Sequence, residues 1–248
     1  MRDVESDQQK KVPPPPLQQP YPEDAELIDL VLPEEFSVGK KPLIDVIRNR
    51  RSRRQFSDEP VTVEELSFLL WATQGVRKVS ENKVNTLRTV PSAGARHPFE
   101  TYLVINRVRG LHPGLYRYLP LNHKIYRLSR VDSEFLRKLT EAAQGQSFIS
   151  RAAVVFVWTI VPYRAEWRYL IWAHKASALD AGHMCQNLYL ACEAIDAGTC
   201  AVAAYDQKKM DTLLGVDGKE EFTIYMAPVG KIKQNGDSAH LHAHAQKT

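Results

Sequence analysis

The chain has 248 residues, 44% hydrophobic and 25% charged, which is ordinary for a globular protein and enough for one substantial core. Its 33 Lys and Arg residues nearly balance its 29 Asp and Glu residues, so the net charge of +4 lacks the strong basic excess typical of a duplex-binding protein. No stretch is apolar for long enough to span a bilayer, and the charged amino terminus has no apolar signal core, so we expect a cytoplasmic protein that does not enter a membrane.

The two ends of the chain differ in composition from its centre. Residues 1–41 are rich in Pro, Gln and charged side chains, which predicts an extended or disordered arm that could wrap a partner subunit. Residues 234–248 carry alternating histidines among small and polar residues, which predicts a flexible tail. We expect a single domain over residues 42–233.

The first part of this domain predicts two helices. One opens at Pro42 and should bury its apolar side chains. These are Leu43, Ile44 and Ile47. A capping box at Thr62 and Glu65 begins the second helix, and Gly75 suits its end. The polar residues 76–90 predict a loop.

The rest of the domain mixes strands and helices. Strands are predicted where apolar and β-branched residues run or alternate, over 100–106, 115–118, 124–128, 152–160, 199–205 and 222–229. Helices are predicted from Asp132 to about Ala143, from about Glu166 to Ala197, and from Asp206 to Gly215. The predicted fold class is α+β, with a mixed, mainly antiparallel sheet of four to five strands flanked by helices.

The chain has three cysteines, Cys185, Cys192 and Cys200, and no C-x-x-C spacing. Cys185 and Cys192 are seven residues apart, so on a helix they share one face. We expect buried, reduced thiols, with neither a disulfide framework nor a metal site.

The segment from Arg48 to Phe56 carries five guanidinium groups and a hydroxyl in nine residues. Guanidinium groups bind phosphate through two parallel hydrogen bonds and stay charged at any working pH. The segment is therefore expected to face an anion. This anion could be a nucleic acid, the phosphate of a cofactor, or only solvent ions around an exposed face. A nucleic-acid partner is disfavoured because aromatic residues are not interleaved with the basic ones and no nucleic-acid motif is present.

Two further segments are built of small residues. One is Pro91, Ser92, Ala93 and Gly94, just before a predicted strand, and the other runs from Gly198 to Asp206 and includes Ala203 and Ala204. Small side chains let the backbone approach a flat ligand closely. With the arginines, these segments describe a site for a planar cofactor that bears a phosphate, although each alone is more typical of a turn or a core strand. No G-x-G-x-x-G motif and no P-loop is present.

The order of these segments resembles the nitroreductase family of FMN enzymes and, within it, the SagB/ThcOx-type dehydrogenase branch. The motifs that carry the resemblance are RRSRRxF at 50–56, WATQG at 71–75, PSAGAxHPxE at 91–100, GLYRY at 114–118, LDAGHxxQNL at 179–188 and PVG at 228–230. The resemblance covers residues 42–231. It implies a nitroreductase-like fold, a domain-intertwined homodimer, and two active sites at the subunit interface.

The resemblance also implies which residues hold FMN. Arg50, Arg51 and Ser52 would face its phosphate and ribityl chain, and Lys231 would complete the phosphate site, with Lys233 as a further candidate. The ring would be contacted by Arg54 on its pyrimidine side, by Pro91, Ser92, Ala93 and Gly94 of the other subunit, and by the backbone of Ala203 and Ala204 at the N5 and O4 edge.

The function that follows from the resemblance is an FMN-dependent oxidoreductase. Hydride would pass from NAD(P)H to the flavin and then to a nitro, quinone or other unsaturated small-molecule acceptor by a ping-pong mechanism. The alternatives are an azoline dehydrogenase of the peptide-modifying type and a flavin-binding protein without catalysis.

The catalytic acid or base is not identified by any motif. His183 is the candidate, although with Asp180 it could equally form a polar pair that joins the long helix to its neighbours. Arg96 departs from the branch, which usually has an apolar residue there, so an acidic or phosphate-bearing substrate becomes conceivable. His97 could lie near the flavin face.

Overall fold

The structure is a computed structural model that describes residues 4–232. Its main sheet is built from β1 (Leu27–Asp29), β5 (Phe99–Ile105), β7 (Gly114–Leu119), β8 (Lys124–Arg130), β9 (Val154–Ile160), β10 (Ala197–Thr199) and β11 (Phe222–Lys231). The strands lie in the order β1-β8-β7-β5-β9-β11-β10, and every neighbouring pair is antiparallel. Two small ladders lie outside this sheet. They pair β2 (Val61–Thr62) with β6 (Val108–Arg109) and β3 (Val76–Val79) with β4 (Thr86–Arg88).

Helices cover both faces of the sheet. They are α1 (Leu43–Asn49), α2 (Val63–Gln74), α3 (Ser133–Ala142), α4 (Ser147–Ser150), α5 (Tyr163–Tyr169), α6 (Trp172–Ala194) and α7 (Gln207–Leu214). Alternation along the central strands creates two cores, because successive side chains of a strand point to opposite faces. Phe156 and Trp158 of β9 pack with α2 and α6, whereas Val155 and Val157 pack with α3, α4 and α7. This arrangement confirms the predicted α+β class.

The helix caps predicted from the sequence are confirmed. The Thr62 side chain accepts from the Glu65 N–H while the Glu65 carboxylate accepts from the Thr62 N–H, so the capping box is complete. Asp132 caps α3 and Asp206 caps α7 in the same way, through side-chain oxygens that accept backbone hydrogen bonds. These caps fix where three helices begin.

The sheet has seven strands, whereas four to five were predicted. Five of the seven are long, and the two extra ones, β1 and β10, are edge strands of three residues each. A segment this short carries no readable alternation, so only its pairing with a neighbour defines it. Similarly, residues 199–205 are not a strand. Beyond Thr199, only Val202 pairs, in an isolated bridge with Met226.

Two further predictions are wrong. Residues 76–90 contain the β3–β4 ladder instead of a loop, because short polar strands lack the apolar alternation by which strands are recognised. The predicted helix from Glu166 to Ala197 is two helices, α5 and α6, separated at Leu170, which has a φ of 50°. No Pro or Gly marks this break in the sequence.

The apolar side chains of α1 are exposed within one chain, whereas we predicted that they are buried. Leu43, Ile44 and Ile47 are each more than half accessible, and of this helix only Val46 is buried. The helix therefore presents an apolar surface that its own domain does not cover.

The amino-terminal segment lies on the surface of its own chain. The Val12 carbonyl accepts from the Trp167 indole N–H, the Gln19 N–H donates to Glu100, and β1 pairs with β8. The predicted contact of residues 1–41 with a partner subunit stays a prediction. The predicted tail, residues 234–248, lies outside the described residues.

Candidate functional site

The arginine-rich segment lies along the β10 edge of the main sheet. Ser52 forms a parallel bridge with Thr199, and the Arg53 N–H donates to the Thr199 carbonyl at 2.9 Å. A β-carbon at Gly198 would lie 2.7 Å from the Arg53 side chain, so only glycine permits this approach. The segment is thereby held in an extended form, with its side chains at the edge of the sheet.

Tyr189 of α6 connects this segment to the loop after β10. Its hydroxyl lies 2.9 Å from the Ser52 hydroxyl and accepts a hydrogen bond of 2.8 Å from the Ala201 N–H. The Arg50 guanidinium lies 5.4 Å from the centre of its ring, within the range of a cation–π interaction. Tyr189 thus fixes the relative position of the arginine segment and the strand-end loop.

The arginines of the segment differ in their partners. Arg53 forms an ion pair of 3.1 Å with Glu193. Arg50, Arg51 and Arg54 have no carboxylate within ion-pair distance among residues 4–232, and Arg54 lies 6.0 Å from the Phe148 ring. The edge of the sheet therefore carries an excess of positive charge.

Lys231 is engaged within the protein. Its ammonium donates to the Glu65 carboxylate at 2.7 Å and to the Ile195 carbonyl at 2.6 Å. Because the same carboxylate belongs to the α2 capping box, Lys231 joins α2 to the end of α6. These contacts occupy two of the three N–H donors of an ammonium group that was predicted to bind a phosphate. Lys233 lies outside the described residues.

The small-residue turn after Pro91 is held by α6. The Ala93 N–H donates to the Asp180 carboxylate at 3.0 Å, and the Ser92 hydroxyl accepts from the His97 N–H at 3.0 Å. Gly94 has a φ of 58°, and a β-carbon there would lie 2.4 Å from the Tyr169 hydroxyl. Burial raises the pKa of Asp180, and the hydrogen bonds from the turn oppose that rise.

His183 lies beside this turn but is open to water. Its side chain is 51% exposed, and its Nδ1 lies 3.9 Å from an Asp180 oxygen. Asp180 therefore joins α6 to the turn without the help of His183. His183 faces solvent, where a ligand or a second chain can reach it.

The two candidate regions lie far apart within one chain. The turn contacts α6 at Asp180, and the arginine segment contacts it at Tyr189, nine residues later. With a rise of 1.5 Å per residue, these two anchoring points are separated by about 13 Å along the helix axis. The turn and the arginine segment therefore lie against different turns of α6.

The backbone at Ala203 and Ala204 is exposed at the end of the loop after β10. The Ala204 carbonyl accepts from the Gln146 side chain at 3.0 Å, which places this backbone beside α4. Val202 is buried and anchors the loop through its bridge to Met226. The loop therefore offers small side chains on a fixed support, as the sequence predicts for a wall of a ligand site.

The profile of the nitroreductase family matches residues 47–231 of this chain. A Methanocaldococcus jannaschii protein named as a nitroreductase is 33% identical over 189 residues, which is 76% of this chain and 90% of that protein. This chain belongs to the nitroreductase family. The family assignment inferred from the ordered motifs is confirmed.

Other members and neighbours of the family show its range. The trifolitoxin-processing protein TfxB of Rhizobium leguminosarum bv. trifolii is 26% identical over 134 residues, which is 52% of this chain and 36% of that protein. A nitroreductase structure from Ralstonia eutropha has a TM-score of 0.67 at 24% identity and covers 90% of this chain and 100% of that one.

Two further solved structures share the fold. A chain of the E. coli microcin synthetase McbBCD complex has a TM-score of 0.60 at 19% identity, covering 85% of this chain and 79% of that one. The NADPH:FMN oxidoreductase of Vibrio harveyi, complexed with NAD+, has a TM-score of 0.56 at 19% identity, covering 83% and 77%. At these identities the likeness establishes the nitroreductase fold.

Two residues of the family motifs, Arg96 and His97, are buried in the single chain. Arg96 is fully buried, donates from Nε to the Arg164 carbonyl at 2.7 Å and lies 5.0 Å from the Trp167 ring centre, so it lines no open substrate pocket. His97 is also buried. Burial and the charge of Arg88 lower the pKa of His97 to about 2, so the ring is neutral at physiological pH and does not serve as an acid there.

The three cysteines are free and buried, as predicted, and burial raises the pKa of Cys185 to about 12. Within residues 4–232 no group of three or more His, Cys, Asp or Glu side chains is arranged to hold a metal ion. In the same part of the chain, no helix combines the length and hydropathy needed to cross a membrane.

Sequence reasoning missed Tyr189. It directly follows the LDAGHxxQNL motif, and its helical spacing of four residues from buried Cys185 is typical of a core position. Its role depends on contacts with Ser52 and Ala201, which lie 137 and 12 residues away in the chain. No local pattern signals such contacts.

Proposed function

We propose that this nitroreductase-family protein is an FMN-dependent oxidoreductase that acts as a homodimer. The observation that carries the proposal is the uncompensated group of arginines beside Ser52 at the sheet edge. Arg53 Nε and Thr199 Oγ1 are buried there without a hydrogen-bond partner among the described residues. Such orphaned groups fit a phosphate-bearing cofactor, because buried polar atoms in proteins are normally paired.

The residues proposed to hold FMN fall into two groups. Arg50, Arg51 and Ser52 bind its phosphate and ribityl chain, and Arg54 lies toward the pyrimidine end of the ring. The exposed backbone of Ala203 and Ala204 borders the reactive edge. Lys231 is a weaker member of this set than the sequence predicts, because Glu65 and Ile195 already engage its ammonium.

FMN, when bound, supplies hydride acceptance from a nicotinamide and hydride delivery to an acceptor. The chain contributes fixed charge. A guanidinium such as that of Arg54 stabilises negative charge at the pyrimidine end and raises the reduction potential. Alanines at 203 and 204 leave the reactive edge open, so donor and acceptor can occupy it in turn, as a ping-pong mechanism requires.

A homodimer is supported by an observation on the single chain. The exposed apolar side chains of Leu43, Ile44 and Ile47 on α1 supply a surface for a second copy. In that dimer, the turn at Pro91–Gly94 of one subunit would complete the flavin site of the other.

A second candidate function is azoline oxidation on a peptide, as in the SagB/ThcOx-type branch. It is favoured by the similarity to a trifolitoxin-processing protein and by the shared fold with a chain of a microcin synthetase complex. The same flavin site would then accept hydride from a thiazoline or oxazoline ring. The electron donor and the acceptor distinguish this reaction from nitro or quinone reduction.

One anaerobic experiment tests the proposal. The purified protein should be yellow, or should retain added FMN through gel filtration, and NADPH or NADH should bleach the flavin absorbance before any acceptor is added. A nitroarene or a quinone should then restore the colour. A protein that binds no FMN would refute the proposal. Flavin that no nicotinamide bleaches, but that an azoline peptide reduces, would favour the second candidate.

A further inference from the structure

A basic pocket adjoins the carboxyl end of the arginine segment. It encloses a cavity of about 590 Å³. The residues that matter here are Arg53, Arg54, Phe56, Asp58, Arg107 and Arg151, and we call the cavity the arginine pocket. Arg107 follows the carboxyl end of β5 and Arg151 precedes the amino end of β9, so both lie at the same end of this antiparallel pair. Neither belongs to a family motif quoted above.

The backbone around the arginine pocket is held by side-chain hydrogen bonds. Arg107 Nη2 donates to the Arg151 carbonyl at 2.9 Å, and Asn106 Nδ2 donates to the carbonyls of Ser150 and Ala152 at 3.1 and 2.9 Å. The turn that carries Arg151 is therefore fixed before any ligand arrives, which lowers the entropic cost of binding.

The charge in the arginine pocket is unbalanced. Four guanidiniums line it against the single carboxylate of Asp58. Within the described part of the chain, the one ion pair among the four joins Arg53 to Glu193. Arg107 Nε is buried and, within residues 4–232, has no hydrogen-bond partner. Grouped guanidiniums repel one another, so an anion with more than one negative charge is the ligand that this arrangement favours.

The wall of the pocket also includes an aromatic ring. Phe56 lines the cavity, and Arg54, at its mouth, lies against the Phe148 ring. A volume of this size accommodates a phosphoryl group together with part of an organic molecule. Guanidinium forks match the geometry of phosphate oxygens through paired hydrogen bonds.

We propose that the arginine pocket binds the phosphoryl group of a small molecule other than FMN, with Arg107 and Arg151 as its phosphate ligands, beside the proposed flavin site that Arg54 also borders. Two sources share this chemistry: the 2′-phosphate of a nicotinamide nucleotide and free inorganic phosphate. The binding itself does not depend on flavin reduction, so it can be tested without turnover.

The test is calorimetric titration of the purified protein, which is first saturated with FMN if it binds FMN. Inorganic phosphate, NADP+ and NAD+ are each titrated into it at matched ionic strength. Inorganic phosphate or NADP+ should bind saturably, and Arg151→Gln should weaken that binding about tenfold, the loss expected for a charge-assisted hydrogen bond. Arg151→Lys should recover part of the affinity. Since Arg151 is exposed, these variants are expected to fold.

The matched control is Arg130→Gln, which removes the same charge from a different cavity, the groove between α3 and α7. It should leave phosphate binding unchanged.

An affinity for NADP+ well above that for NAD+ identifies the nucleotide phosphate as the source. Equal affinities for the two nucleotides, together with tight binding of inorganic phosphate, identify the free ion. The proposal is overturned if neither ligand binds, if Arg151→Gln has no effect, or if saturating FMN abolishes binding. Phosphate binding by a protein that lacks flavin activity would refute only the proposed function.

Discussion

At the scale of single residues, the interior holds more charge than the sequence suggests. Buried Arg164 and Arg117 share the Glu100 carboxylate at 2.7 and 3.2 Å. Burial alone would raise the pKa of Glu100, but the two guanidiniums outweigh it and hold that pKa below its ordinary value. Arg88 and Arg96 are buried nearby, so the local charge is positive and disfavours any further proton.

His97 makes this positive charge measurable as a pH dependence of stability. Its pKa is about 2 in the folded protein and 6.5 in an unfolded chain, so only the unfolded state binds the proton between these values. The contribution of His97 to the free energy of unfolding is fully present above pH 6.5. Below pH 6.5 it decreases, by at most about 1.4 kcal/mol per pH unit. Urea unfolding at about pH 7 and about pH 5 should therefore show a smaller decrease in the free energy of unfolding for His97→Gln than for the wild type.

The control for His97 is His112→Gln, which changes an exposed imidazole. It should show the same decrease in the free energy of unfolding between the two pH values as the wild-type protein. An equal decrease in His97→Gln and the wild type would show that burial and the neighbouring arginines do not lower the pKa of His97.

Tyr189 provides a second prediction at this scale. Tyr189→Phe leaves the Ala201 N–H without its acceptor and removes the link to Ser52, so the free energy of unfolding should fall by about 1 kcal/mol. FMN, measured by quenching of its fluorescence, should bind more weakly, because the arginine segment loses its support. Tyr163→Phe removes an exposed phenol that donates to Asp7 and should change neither quantity. Unchanged FMN affinity in Tyr189→Phe would contradict the positioning role.

At the scale of elements, the short turn between β4 and β5 depends on its neighbours more than on its own residues. Asp180 of α6 accepts from the Ala93 N–H, and Tyr169 of α5 packs against Gly94. The break between α5 and α6 at Leu170 is what allows two helices to hold one turn from both sides. A continuous helix, as the sequence predicts, would not present both side chains to it.

Gly94→Ala tests this arrangement. The left-handed φ costs a non-glycine residue about 1–2 kcal/mol, and the added β-carbon also meets the Tyr169 hydroxyl. Denaturant unfolding should therefore show a larger loss of stability in the wild-type background than in Tyr169→Phe, where the hydroxyl is absent. If the loss is the same in both backgrounds, the contact with Tyr169 is not the constraint.

At the scale of the whole molecule, one surface remains apolar after the chain has folded. It is formed by Leu43, Ile44 and Ile47 of α1, and Trp172 and Leu179 are further exposed apolar side chains in the amino-terminal part of α6. Grouped exposed apolar side chains mark an interaction site. A second copy of the chain is the occupant that would also join the turn of one subunit to the arginines of the other.

Ile44→Glu should convert a dimer into a monomer, because it places a charge in the apolar contact. Sedimentation velocity should show the smaller species, and the monomer should release its FMN because each proposed flavin site would draw on both chains. Leu121→Glu, at an exposed apolar position in the turn between β7 and β8, should remain dimeric and retain FMN. A wild-type protein that sediments as a monomer would exclude the proposed shared site.

The family, the α+β class, the caps at Thr62, Asp132 and Asp206 and the long central strands were predictable from the amino-acid sequence. The caps and strands depend on signals within a few residues, such as a capping side chain or a continuous run of β-branched residues, and the family depends on six ordered motifs. The edge strands, the break at Leu170, the burial of Arg96 and the pairing of Lys231 with Glu65 became evident only in the folded chain. Such outcomes arise from packing and hydrogen bonds between segments far apart in the chain. Lys231 and Glu65, separated by 166 residues, leave no mark on each other's local sequence.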